Sequence, residues 1–244
     1  MKEFVIVIPA RFDSKRFPGK PLKKILGKEM IVRTVEQCKK SKFLKCVYVA
    51  TDSKIIFNLL KKKKFENVIM TPKKCITGTD RIAYFAKKIK AKTYINVQGD
   101  EPIIKPNDID KIYKYAKKNR NDVINGYAKI KNYSELKNSN IPKVVFDDKK
   151  NLIYISRSLI PFVKKFNSHN YYKQICVYAF PRKKLMKVFK NKKSKIEKKE
   201  DIEILRFLEN NICVKMVKLS GESKAVDTRK DVIEVKKIIS KENF

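Results

Sequence analysis

The chain has 244 residues, 43% of them hydrophobic, enough for one large domain with a real core. It contains no apolar run long enough to cross a membrane, and the short apolar stretch near its start is too brief for a signal peptide, so a cytoplasmic protein is expected. Five scattered cysteines without CxxC spacing and a single histidine, His169, argue against a disulfide framework, a zinc site and a Ser-His-Asp triad. The formal charge of +35 raises nucleic-acid binding as one reading. The lysines are spread over the whole chain, without the clustered aromatics that stack on single strands. A freely lysine-substituted surface is the simpler account, and no nucleic-acid partner is expected.

In chain order, the first element is Phe4–Ile8, an unbroken apolar run that suits a strand buried on both faces. Pro9 lacks a backbone N–H, so the chain is expected to turn there. The loop that follows carries Arg11, Arg16, Gly19 and Lys20. Together its cations can neutralise a polyanion, and Gly19 allows close backbone approach. It is not a Walker A loop, because the GxxxxGK[ST] pattern is absent. Periodicity then predicts a helix from Met30 to about Ser41, a strand at Cys46–Ala50, a helix from Ile55 to Lys63 and a short strand at Val68–Met70. A helix from Asp80 to Lys90, a strand at Thr93–Val97 and a helix from Asn107 to Asn119 complete this half. The alternation implies an α/β fold: a mostly parallel central sheet with helices on both faces.

After about residue 122 the rhythm changes. Strands are expected at Val123–Ile130, Lys143–Phe146, Leu152–Ser156, Gln174–Phe180 and Val214–Leu219. Helices are expected at Leu185–Lys190, Ile202–Asn210 and Arg229–Lys241. Asp147 to Asn151 has the composition of a hairpin turn. The expected organisation is one domain over 1–244, with a partly antiparallel inserted region near 130–190.

Several stretches carry chemistry. Asn96-Val-Gln98-Gly99-Asp100-Glu101-Pro102 sets a carboxylate just past a buried strand, a place to hold Mg²⁺ against phosphates, or simply a turn cap. Val226-Asp227-Thr228 repeats the pattern before the last helix, where Asp227 or Thr228 is the N-cap and Asp227 is cap, metal ligand or both. Thr77-Gly78-Thr79-Asp80-Arg81 offers N–H donors at a helix start, or an ordinary N-cap. Arg157, in Ser156–Pro161, can clamp a substrate carboxylate or lie on the surface.

Taken together, IPARFDSKRFPGKPL (Ile8–Leu22), ATD (Ala50–Asp52), TGTDR (Thr77–Arg81), NVQGDEP (Asn96–Pro102), the Lys143-Val-Val stretch, SRSLIP (Ser156–Pro161) and VDT (Val226–Thr228) closely resemble the 3-deoxy-manno-octulosonate (KDO) cytidylyltransferase family. The resemblance implies a nucleotide-diphospho-sugar transferase-like fold and a reaction of CTP with a 2-keto sugar acid. CMP-KDO for lipopolysaccharide or capsule and pyrophosphate would be the products. It implies Mg²⁺ and no organic cofactor, and a homodimer formed through the inserted region. Arg11, Lys20 and Asp100 would be catalytic. Ala10, Arg11, Arg16, Lys20, Thr77, Thr79 and Arg81 would hold the nucleotide. Asp100 and Asp227 would bind the metal, and Gln98, Arg157, Gln174, Tyr178 and Glu203 would meet the sugar. The acceptor half departs from the family pattern. Lys173-Gln174 stands for Arg-His, Tyr178-Ala-Phe180 for Tyr-Gly-Tyr, and Glu203-Ile204-Leu205-Arg206 for Glu-Gln-Leu-Arg. A related acceptor, amino-KDO or an acylneuraminate, is therefore the alternative. A non-catalytic basic nucleic-acid-binding protein is the distant one.

Overall fold

In the computed structural model, which describes residues 1–13, 17–162, 164, 171–189 and 192–242, the chain separates into two compact units. These are Met1–Asp110 with Glu222–Phe244, and Lys111–Gly221.

The first unit is built on strands Lys2–Ala10 (β1), Lys24–Ile25 (β2), Lys28–Glu29 (β3), Val47–Thr51 (β4), Val68–Met70 (β5) and Ala91–Val97 (β6). Four of these run parallel in the order β6-β1-β4-β5. Val5, Ile6, Val7 and Ile8 are fully buried, as an uninterrupted apolar strand in a sheet covered on both faces should be. Helices Met30–Lys39 (α1), Lys54–Lys62 (α2) and Gly78–Lys88 (α3) each turn an apolar stripe inward. Along Pro106–Lys118 (α4) the chain passes into the second unit.

The expected turn at Pro9 does not occur, because β1 continues to Ala10, with Pro9 opposite Ala50 of β4. The reason is directional. The Ile6 N–H points at β4, bonding Cys46 O at 2.9 Å, so odd residues face β6. Pairing with β6 ends at Val7 opposite Asn96, so the N–H that Pro9 lacks has no ladder to serve. The Pro9 carbonyl faces Gly99 instead, where a Cβ would stand 2.8 Å from it. Only glycine fits there.

The second unit holds Val123–Lys129 (β7), Lys143–Phe146 (β8), Leu152–Ser156 (β9), Tyr172–Pro181 (β10) and Val214–Lys218 (β11). β7 pairs with β11 in parallel and with β10 antiparallel, and β10, β8 and β9 follow antiparallel. The change of rhythm read from the sequence is thus a change from parallel to mixed pairing. The turn between β8 and β9 is held as its composition suggests. The Asn151 N–H donates to Asp147 Oδ1 at 2.7 Å and the Lys150 N–H to Asp147 O at 2.9 Å. Helices Tyr133–Lys137 (α5), Arg182–Phe189 (α6), Lys195–Glu200 (α7) and Leu205–Leu208 (α8) complete the unit. The long helix expected over Ile202–Asn210 is only α8, while α5, α7 and the β2–β3 hairpin are additions too short to show a period.

Arg229–Glu242 (α9) returns to the first unit. Its Val235 and Ile239 join Phe17, Ile25, Met30, Ile103 and Val226 in one apolar cluster. That cluster fixes the basic loop and the segment bearing Asp227 on common ground. Among the described residues, no helix is long and apolar enough to cross a membrane.

Candidate active site

In a parallel sheet all strands end on one edge, so the loops after β1, β4, β5 and β6 gather there, where α/β folds place their ligands. These loops carry Lys20, Asp52, Thr71 and Asp100. Lys20 opens a 3-10 turn, Lys20–Leu22, whose preceding residue Gly19 has φ +66°. The Gly19 N–H closes the loop onto Phe12 O at 3.1 Å, and buried Phe17 anchors it. Asp100 follows the glycine that packs on Pro9. The carbonyl of Asp100 accepts the Val226 N–H at 2.9 Å, tying the segments of Asp100 and Asp227 together.

The three side chains meet. Lys20 Nζ lies 2.6 Å from Asp100 Oδ2 and 3.1 Å from Asp227 Oδ1. At the start of α9 capping bonds come from Thr228 and from Asp231, whose Oδ2 accepts the N–H groups of Asp227 and Thr228 at 3.1 and 2.8 Å. Burial alone would lower the pKa of Lys20, but the charges and hydrogen bonds of Asp100 and Asp227 outweigh it and raise the value. The ammonium is therefore charged at any physiological pH. Next to it Glu101 is buried, with Oε2 lacking a hydrogen bond. Burial first, then the charges of Asp100 and Asp227, push its pKa up to about 8, against Lys20 and a hydrogen bond with Ser223. Glu101 is thus mostly protonated at neutral pH. The sequence reading overlooked it, although a Glu beside a strand-end Asp is a signal for such a coupled acid.

Two carboxylates that converge on one cation suit a Mg²⁺ completed by substrate phosphates rather than by a full protein cage. Among the described residues no cluster of three or more His, Cys, Asp or Glu side chains offers such a cage.

The remaining described nucleotide candidates stand on the same edge. Ala10 is the buried last residue of β1. Arg11 is exposed and its Nη1 donates to Ile76 O at 3.2 Å, reaching the loop before α3. Arg16 lies outside the described residues. Thr77 caps α3, its Oγ1 accepting the Asp80 N–H at 3.0 Å while Asp80 Oδ2 accepts the Thr77 N–H at 3.2 Å. Thr79 is buried in the first turn. Arg81 is 2% exposed, and its guanidinium is taken up by Thr71 Oγ1 and by Asp52 Oδ2 at 2.7 Å. It ties the loops after β4 and β5 to α3. Gln98 is half-buried directly after β6.

The other sugar candidates belong to the second unit. Arg157 points its guanidinium at three backbone carbonyls, Glu200 O at 2.7 Å, Ser139 O at 3.0 Å and Asp201 O at 3.2 Å. As built, it fastens β9 to α7 and does not stand open as a carboxylate clamp. Glu200, missed in the sequence, completes that joint by accepting from Ser156 Oγ at 2.6 Å and from the Arg157 N–H at 2.9 Å. Gln174 is buried, its Nε2 donating to Asn125 Oδ1 at 2.8 Å. Asn125 Nδ2 donates in turn to Ile175 O and Val177 O across the bulge of β10. Tyr178 is buried and stacks on Phe180, centroids 5.4 Å apart. Glu203 is half-buried ahead of α8, and Ile204 is 1% exposed.

Compared with known proteins, residues 5–223 match the family model described as Cytidylyltransferase. The chain belongs to that family. It is a nucleotidyltransferase with the fold of its group. It is 38% identical to the 3-deoxy-manno-octulosonate cytidylyltransferase of Chloroherpeton thalassium, over 97% of this chain and 98% of that one. It is 35% identical to the 8-amino-3,8-dideoxy-manno-octulosonate cytidylyltransferase of Shewanella pealeana, over 93% of this chain and 94% of that one. Among solved structures, CMP:2-keto-3-deoxy-manno-octonic acid synthetase complexed with CTP superposes with a TM-score of 0.90 at 31% identity, covering 99% of this chain and 100% of that one.

Proposed function

We propose that this cytidylyltransferase activates 3-deoxy-D-manno-octulosonate with CTP, giving CMP-KDO and pyrophosphate for lipopolysaccharide or capsule synthesis. The observation that carries the reading is the convergence of Asp100 and Asp227 at the carboxyl edge of the parallel strands, in a chain aligned with KDO cytidylyltransferases almost end to end. The anomeric hydroxyl of the sugar acid attacks the α-phosphorus of CTP. A new O–P bond forms, the bond to the bridging oxygen breaks, the electron pair leaves with pyrophosphate, and the hydroxyl proton passes to solvent.

Such a transfer needs positioning and charge neutralisation rather than a covalent intermediate. Asp100 and Asp227 would hold Mg²⁺. When bound, it supplies charge for the triphosphate and acidifies the attacking hydroxyl, so no histidine base is needed. Arg11 and Lys20, with Arg16, neutralise the phosphates. Thr77 and Thr79 shape the nucleotide side, and Arg81 acts there by holding its loops. Gln98 is assigned to the sugar acid on the family resemblance, which assigns Gln174, Tyr178 and Glu203 to it as well, and Arg157 holds its own stretch of backbone. The reading extends to a cytoplasmic homodimer assembled through 130–190.

The second reading is an amino-KDO acceptor. Gln174 and the apolar Ile204 favour it, standing where the family carries His and Gln. A panel of KDO, 8-amino-KDO and an acylneuraminate with CTP and Mg²⁺, followed by pyrophosphate release, decides between them. KDO is expected to turn over fastest. No turnover of KDO beside turnover of another acid would overturn the first reading.

A further inference from the structure

Lys20 presents a conflict of assignments. The proposed reaction puts its ammonium on the triphosphate, yet the structure holds it on the two carboxylates assigned to the metal. Both cannot be served at once. A divalent cation held by Asp100 and Asp227 would meet the ammonium that now pairs with them, and the two positive charges would repel across a partly buried site.

The charge balance describes two states. Without metal, the Lys20 ammonium sits between the two carboxylates, 2.6 Å from Asp100 Oδ2 and 3.1 Å from Asp227 Oδ1. With a divalent cation the carboxylates are already matched, and the ammonium is surplus. The Lys20 side chain is only 11% exposed, so leaving it unpaired there is costly. That cost disappears when an anion receives the ammonium. Its backbone stays fixed by Gly19, Phe17 and the 3-10 turn, while the four-carbon stem is free to swing.

We propose that Lys20 is a built-in occupant of the metal position. It neutralises Asp100 and Asp227 in the nucleotide-free enzyme and is released to the triphosphate only when metal and nucleotide enter together. This rests on the assignment of Asp100 and Asp227 as the metal ligands. The exchange makes metal and nucleotide binding cooperative, because the metal alone must evict a cation that has nowhere to go. By linkage, each ligand then tightens the other by the same factor.

Mn²⁺ binding followed by electron paramagnetic resonance tests this without turnover. Wild-type protein is expected to bind Mn²⁺ weakly alone and more tightly with CTP. In Lys20→Met the occupant is gone, and Mn²⁺ alone is expected to bind at least about tenfold more tightly than to wild type, within the usual range of such couplings. Lys20→Arg keeps a cation at the carboxylates and should bind as weakly as wild type. Should Lys20→Met not fold, Lys20→Gln serves as the neutral variant. Unchanged or weaker Mn²⁺ binding by the folded neutral variant would overturn the exchange while leaving the metal ligands in place. If instead wild type with CTP binds Mn²⁺ no better than Asp100→Asn/Asp227→Asn with CTP, the metal assignment itself fails, and the exchange with it.

Discussion

Lys20 and Arg206 are both buried cations faced by carboxylates, yet their surroundings differ. The side chains of Asp100 and Asp227 keep 27% and 25% of their surface exposed, whereas Glu197 opposite Arg206 has none. Arg206 makes two parallel bonds to Glu197, Nε to Oε2 and Nη2 to Oε1, both at 2.7 Å. Glu197 also accepts the Ser194 N–H at 3.1 Å, so the pair locks α7 onto α8. A pair sealed from solvent in this way holds structure together. One cation shared by two partly exposed carboxylates is reachable from outside, as the exchange proposed above requires.

The largest expected effect separates the two regions by activity. Asp100→Asn should lower kcat by about 10²–10³-fold, the scale for loss of one transition-state electrostatic contact. Its thermal unfolding midpoint should stay near that of wild type. Pyrophosphate release and calorimetry check both halves, and near-normal turnover would remove Asp100 from the chemistry. Next comes the sealed pair. Arg206→Met strands the Glu197 charge and should cost about 3–5 kcal/mol in urea unfolding. The double change Glu197→Leu/Arg206→Met should recover part of that loss, and a single variant as stable as wild type would contradict the comparison.

Glu101 sharpens it further through pH. Its folded pKa of about 8 lies above the ordinary 4.5, so the folded state holds the extra proton between those values. The stabilising contribution is whole below pH 4.5 and is lost as the pH rises through 8. Glu101→Gln should flatten the fall in stability over that window by a few kcal/mol. Parallel stability curves for variant and wild type would refute the buried, protonated acid. The smallest effect is at the start of α3. Thr77→Ala should cost about 1 kcal/mol through its cap, read by denaturant midpoint.

The sequence was informative where structure is local or the ligand set is carried by one strand end. The apolar run of β1, the apolar faces of α1 and α3 and the turn at Asp147 follow from residues within a few positions of one another. Asp100 was legible as a strand-end carboxylate; Asp227 was read the same way, but β11 ends at Lys218 and Asp227 lies in the irregular segment before α9, and the Lys20 they share was not legible. Pro9 was misjudged because its missing N–H matters only if a neighbour strand lies on that side, and that depends on where β6 stops. Arg157 resembled an open clamp because its anchors, Glu200 and Asp201, are 43 and 44 positions away. The buried state of Glu101 likewise depends on the approach of distant Ser223 and Asp227.

The bond from the Val226 N–H to Asp100 O has a consequence for how the protein is made. Asp227 is 207 positions beyond Lys20 and leaves the ribosome roughly 10–40 seconds later at ordinary elongation rates. Under the exchange proposed above, a chain that ends before Asp227 lacks one of the two carboxylates that share Lys20, and it is expected to bind Mn²⁺ no better with CTP than without it.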